Sequence, residues 1–182
     1  MTPATPLAEK LTALSQADTW EQAVSEWDID GCGEDESLAS SCVCGKERIR
    51  YLFTIRNRRN GNTLYPIGSS CVRKLGPPAL REAADITESL FRLRRLISSG
   101  GRVTLTSDCL SRKLLAHLHT AGAFRPNAYN AHNPYRDYAF LLDMFNKRSP
   151  PTPRQQAKIN ALIATSVKPF LTHALRPQTA PP

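Results

Sequence analysis

Five cysteines are the residues best suited to chemistry, and four of them fall within 40 residues. Cys42-Val43-Cys44-Gly45 is followed 26 residues later by Cys71, and Cys32 lies ten residues before Cys42. Thiolates bind zinc at about 2.3 Å, and a closed structural site takes four ligands in a tetrahedron. A tight turn ending in Cys-Gly aims backbone amides at the sulfurs. The start of a helix at Cys71 places a positive dipole end beside another thiolate. An odd number of cysteines does not fit a disulfide framework. The expected cofactor is therefore a structural Zn2+ held by Cys42, Cys44 and Cys71, with Cys32 as the first candidate for the fourth position. His117, His119, His132 and His173 are the alternatives, all distant in sequence. Cys109 reads as a buried thiol on a helix with apolar neighbours.

Basic residues crowd the same stretch. Lys46, Arg48, Arg50, Arg56, Arg58, Arg59, Arg73 and Lys74 are opposed between them only by Glu47. Arg48, Arg50 and Arg56 share one parity on an expected strand, and Arg58 and Arg59 sit at its turn. A ribbon of this kind suits a phosphate backbone, and Arg92, Arg94, Arg95 and Arg102 would extend it. Tyr51, Phe53 and Tyr65 are candidates for base stacking, although the parity of Tyr51 and Phe53 with Ile49 and Ile55 favours core packing. The net charge of +8 hides a split. Residues 1–41 carry nine acids against Lys10, whereas residues 42–182 carry 23 bases against seven acids. Such asymmetry is a hint of nucleic-acid contact or of an acidic tail, and with the basic cluster nucleic acid is the expected partner.

The elements that must position these residues follow from periodicity. Leu7, Leu11 and Leu14 predict one short helix and Trp20, Val24 and Trp27 a second, opened by an Asp18–Glu21 capping box. Residues 28–41, acidic and rich in small residues, read as a loop. Alternation of Ile49, Tyr51, Phe53 and Ile55 predicts a strand. Asn60-Gly61 predicts its turn, and Thr63 to Ile67 the returning strand, placed at an edge by Pro66. Ser69 or Ser70 is expected to cap a short helix bearing Cys71. Further on, helices are expected over 79–98, about 107–120, 136–147 and 153–174, with a short strand at 102–105 and a kink at Pro169. The divisions are 1–31 (acidic, helical), 32–76 (metal hairpin), 77–149 (helical), 150–175 (last helix) and 176–182 (disordered tail). The fold class is α+β, predominantly helical, with amphipathic helices flanking the hairpin.

Knuckle, β-hairpin and ligand-bearing helix together resemble a treble-clef zinc finger. The segment CVCGKERIRYLFTIRNRRNGNTLYPIGSSCVRK resembles a module of small phage and prophage zinc proteins in its CxCGK, IRY, NG and IGSxCV elements. The resemblance covers roughly residues 42–75 and implies a fold more than an activity. Treble clefs usually take two ligands from a CxxC knuckle and two from the helix. Here the knuckle is CxC and the helix offers Cys71 alone. Treble clefs also host HNH-type nucleases, but no histidine lies in this hairpin, and His117 and His119 diverge on a helix by about 200°. No Gly-rich phosphate loop, HExxH or GxSxG is present. The sequence thus reads as a non-catalytic, zinc-stabilised nucleic-acid-binding protein, DNA or RNA, of phage or prophage type. The alternative is an interaction module that grips a host protein. No apolar run reaches the roughly 18 residues of a membrane span, and the N-terminus lacks a secretory pattern, so a cytoplasmic location is expected.

Overall fold

The computed structural model describes residues 6–175, so the expected tail from Arg176 lies outside the described residues. The chain is α+β and divides into two compact units, with the boundary at Thr87/Glu88. No described helix is long and apolar enough to cross a membrane.

The first unit runs α1 (Pro6–Ala13), α2 (Trp20–Val24), β1 (Trp27–Glu34), β2 (Tyr51–Asn57), β3 (Thr63–Ile67) and α3 (Ser69–Lys74), then the first half of α4 (Pro78–Ser98). Its sheet is antiparallel with order β1-β2-β3. The hairpin forms as its sequence predicts: Gly61 adopts φ +79° in the turn, and its N–H donates to Asn57 O at 3.0 Å. Pro66 sits on β3, an edge strand, where a missing donor costs no ladder bond.

The largest departure is β1, because residues 27–34 were expected to be mostly loop. Glycines and acids are poor strand formers, yet β1 pairs with β2 from Trp27↔Asn57 to Glu34↔Tyr51, absorbing one irregularity between Ile29 and Gly31. Pairing on both sides makes β2 the central strand, and Leu52, Phe53, Thr54 and Ile55 are all buried. The expected basic face of β2 therefore does not exist over these residues. Arg48 falls outside the strand at φ +57° and shares no parity with Arg50 and Arg56. Trp27 leaves α2 to begin β1 and is buried there, and Thr19, not Asp18, is the N-cap of α2.

A carboxylate that periodicity cannot reveal ties this unit together. Glu26 is 2% exposed and accepts from Gln16 N, Ala17 N and Asn57 Nδ2, the last at 2.7 Å, with Arg59 3.8 Å away. One side chain thus joins the α1–α2 connection, the start of β1 and the end of β2. Burial opposes its ionisation, but these donors outweigh it and hold the pKa below the ordinary glutamate value.

The second unit comprises the end of α4, α5 (Arg112–Thr120), α6 (Tyr135–Asn146), α7 (Pro153–Leu162), a π-helical turn (Ile163–Val167) and α8 (Lys168–Ala174). Leu90, Leu114, Leu118, Leu141, Ile159 and Leu171 are among its buried residues. Thr152 and Gln155 form a reciprocal capping box at α7, and Pro153 takes its first turn. The π-turn ahead of Pro169 accommodates the proline that the sequence marks as a kink. Residues 102–105 do not form a strand, since only Val103 and Leu105 are strongly apolar and no β-partner lies among the described residues. Ser111 caps α5, so that helix starts later than expected and Cys109 lies in the turn before it, half-buried.

Candidate metal centre and basic surfaces

The chain enters the knuckle through a carboxylate-organised turn. Asp35 accepts from the Ser37 and Ser40 hydroxyls and from the amides of Ser37, Ala39 and Ser40, at 2.5–2.9 Å. Those two hydroxyls are the main cause of an Asp35 pKa held well below the usual carboxylate range, against a smaller opposing effect of desolvation. Ser40 O then accepts from Ile49 N, which places Cys42 beside the sheet.

Within the knuckle, Cys42 N donates to Lys46 O and Gly45 N to Cys42 O, both at 2.8 Å, with Gly45 at φ +91°. Only glycine takes that conformation without strain. Val43 N donates to Pro66 O at 2.9 Å and fastens the knuckle to β3. Gly68, the N-cap of α3, lends its N–H to Cys42 Sγ at 3.3 Å, and a Cβ there would come within 3.2 Å of Ile49. The cap role expected of Ser69 or Ser70 thus belongs to Gly68, and the amide it frees neutralises a sulfur.

The result is a cluster of three sulfurs, all within 4.8 Å of one another. Cys42 Sγ lies 3.7 Å from Cys71 Sγ, and Cys71 Sγ lies 3.3 Å from Cys44 Sγ. Tetrahedral thiolates at a 2.3 Å bond length stand about 3.8 Å apart, so the spacing fits a small metal ion after minor adjustment. None of these cysteines is in a disulfide. Burial pushes the Cys71 thiol up to about 12, and its neighbours Cys44 and Cys42 add to the rise. Cys44 moves the other way: burial opposes ionisation, but the Lys46 amide and the two adjacent thiols outweigh it and lower its pKa. Cys44 is thus predisposed to the metal-binding form, whereas Cys71 would surrender its proton to the ion.

Cys32 does not join the cluster. It lies on β1 opposite Phe53, so its side chain shares the face of a fully buried ring and packs against the core. Among the described residues none of the four histidines joins the cysteines either. His119 stacks on Tyr138 with ring centroids 4.7 Å apart, and its buried Nδ1 has no hydrogen-bond partner. His117 is half-buried, and desolvation lowers its pKa.

Half of the expected basic cluster is paired with acids. Arg50 faces Glu34 at 3.9 Å, Arg58 faces Asp28 at 3.2 Å, Arg59 faces Glu26 at 3.8 Å and Arg73 faces Asp85 at 2.8 Å. Three of these pairs exist because β1 and the residue before it run beside β2. Lys46, Arg48, Arg56 and Lys74 are exposed and have no ion pair among the described residues. Phe53 is core, Tyr51 is half-buried and Tyr65 is 37% exposed.

Charge divides between the units in a way the linear split conceals. Residues 1–87 hold ten bases and twelve acids, a net of −2, while residues 88–175 hold thirteen bases and four acids, a net of +9. In the second unit a cavity of about 350 Å³ is lined by Arg102, Phe145, Lys147 and Arg148, with no carboxylate on its walls among the described residues. Lys147 is steadied by Gln155 Oε1 at 2.7 Å, and the Arg112 guanidinium lies over the Phe145 ring, 5.1 Å from its centroid. The sequence marked Arg102 only as an extension of the ribbon. Lys147 and Arg148 carry no local sequence signal, because the cavity is assembled from segments 102–106 and 144–159.

No protein-family model, curated protein or solved structure matches this chain.

Proposed function

We propose that this chain is a non-catalytic nucleic-acid-binding protein whose first unit is braced by a structural zinc ion in a treble-clef-like hairpin. Its main phosphate contact is the cation-lined cavity of the second unit. The observation that carries the reading is the pairing of Arg102, Lys147 and Arg148 around that cavity with no opposing carboxylate, in a unit of net charge +9. Guanidinium and ammonium groups so placed suit phosphate oxygens, and Phe145 offers an aromatic edge to a base. Lys46, Arg48, Arg56 and Lys74, exposed and without an ion pair among the described residues, are auxiliary contacts. The ion-paired arginines are a weaker choice, because a phosphate would first have to displace an acid. Zinc here supplies a cross-link between knuckle and α3 in a unit whose sheet has three short strands.

The test is binding of labelled single- and double-stranded DNA and RNA by fluorescence anisotropy between 50 and 200 mM salt. Three cavity cations engaged on a single strand give a log–log slope of about −2. Affinity that is absent or indifferent to salt overturns the reading. Plasmid incubated with Mg2+ or Mn2+ is expected to remain intact.

A second reading, docking to a protein partner, draws on Tyr129, which is 99% exposed. Its turn is held from beneath by Asn130, whose Nδ2 donates to the buried Asp137 at 2.7 Å. A rigidly presented tyrosine suits an interface. A complex from bacterial lysate that survives nuclease treatment and is lost in Tyr129→Ala would favour it.

A further inference from the structure

We infer that the three-cysteine centre holds its fourth coordination position open for a small organic thiol, seated in the apolar cavity beside it. The inference rests on the reading of Cys42, Cys44 and Cys71 as a metal centre and names what completes it.

The three sulfurs are not equivalent. Cys42 is buried at 5% exposure, and its sulfur accepts the Gly68 amide. Cys44 and Cys71 instead line a cavity of about 270 Å³, whose remaining walls are Pro6, Leu7, Trp20, Lys74 and Leu75. Zinc bound by sulfur is almost always four-coordinate. Among the described residues no fourth cysteine, histidine or carboxylate joins the cluster. An open position can be filled by water or by an occupant of the cavity that Cys44 and Cys71 line, and the cavity's walls favour the second.

The cavity's chemistry restricts that occupant. Its volume falls just below the roughly 300–1,000 Å³ range of drug-sized sites, so the occupant is small. Leu7, Trp20 and Leu75 favour an apolar body over water. Lys74 follows Cys71 by three residues on α3, hence on the same helix face, and sets an ammonium at the cavity wall. Three thiolates already give a zinc ion a net charge of −1, so the lysine offsets the charge of a further anionic donor. A donor set of soft sulfur favours another thiolate. An apolar thiol, bound as its thiolate with its proton released to solvent, meets all four conditions.

Cobalt(II) substitution tests this on the full-length chain, because sulfur-to-cobalt charge-transfer intensity scales with the number of bound thiolates. Titration with benzenethiol should raise that band by about a third, as three thiolates become four, and should saturate at one thiol per metal. Benzyl alcohol, similar in shape but without the thiolate, should leave it unchanged. Cys32→Ser should behave as the unaltered chain does. Trp20→Ala should weaken benzenethiol binding roughly tenfold through loss of an apolar wall. Lys74→Met, an exposed substitution that spares the core, should weaken it roughly threefold. A cobalt spectrum unaffected by benzenethiol overturns this inference while leaving the metal centre standing, as does a band that shrinks in Cys32→Ser. Failure to take up cobalt at all overturns the metal reading, and this inference with it.

Discussion

Replacing Arg102 and Arg148 together by glutamine separates the two basic surfaces. Both residues line the same cavity, both are exposed, and neither has an ion pair among the described residues. If each neutralises one phosphate, removing both lowers the number of released counterions by two. The log–log salt slope then flattens by about 1.4 on a single strand or about 1.8 on a duplex. The fold should tolerate the change, since neither side chain is in the core and thermal melting should move little. The matched comparison is Arg58→Gln with Arg59→Gln, which removes two hairpin cations already facing Asp28 and Glu26. That pair should leave the slope nearly unchanged. Anisotropy titrations at four salt concentrations give both slopes on one oligonucleotide. A hairpin variant that flattens the slope while the cavity variant leaves it intact would return the phosphate contact to the arginine ribbon and exclude the cavity.

Other consequences concern stability. Phe53 is fully buried at the centre of the sheet, so Phe53→Ala should cost about 3–5 kcal/mol by chemical denaturation. Thr152→Ala removes the α7 cap and should cost about 1 kcal/mol in the same assay. Gly45→Ala forces a side chain into φ +91° at the knuckle and should cost about 1 kcal/mol or more, with weaker zinc retention in a chelator competition. Asp35 has a folded pKa below its unfolded value, so its contribution is full above an unfolded pKa of about 3.9 and is lost as pH falls through the folded value. The stability gap between the unaltered chain and Asp35→Asn should therefore be widest near neutrality and shrink in acid.

Local signals carried much of this fold into the sequence. The hairpin, its Asn-Gly turn, the edge position of Pro66, the Thr152 cap and the kink at Pro169 each depend on neighbours a few residues away. Cys42, Cys44 and Cys71 were legible for the same reason, because turn and helix start are locally encoded around them. The features that were not legible are long-range. Strand β1 forms from Asp, Gly and Cys because β2 supplies its pairing partner, against its own propensity. That pairing decides the fate of Cys32, which faces Phe53 and not the cluster, and of Arg50 and Arg58, which face acids. A positive φ at Arg48 breaks the alternation that residues 48–56 show in sequence. Likewise the split at residue 41 described charge along the chain, whereas folding redistributes it into a nearly balanced first unit and a basic second one.

Zinc content by mass spectrometry, measured on the unaltered chain and on each cysteine-to-serine variant, tests the metal centre most directly. The expected result is one zinc per chain, lost in Cys42→Ser, Cys44→Ser and Cys71→Ser and retained in Cys32→Ser and Cys109→Ser. A chain purified without zinc that also fails to bind it on addition would rule out this metal centre, as would zinc lost from Cys32→Ser but kept in Cys44→Ser.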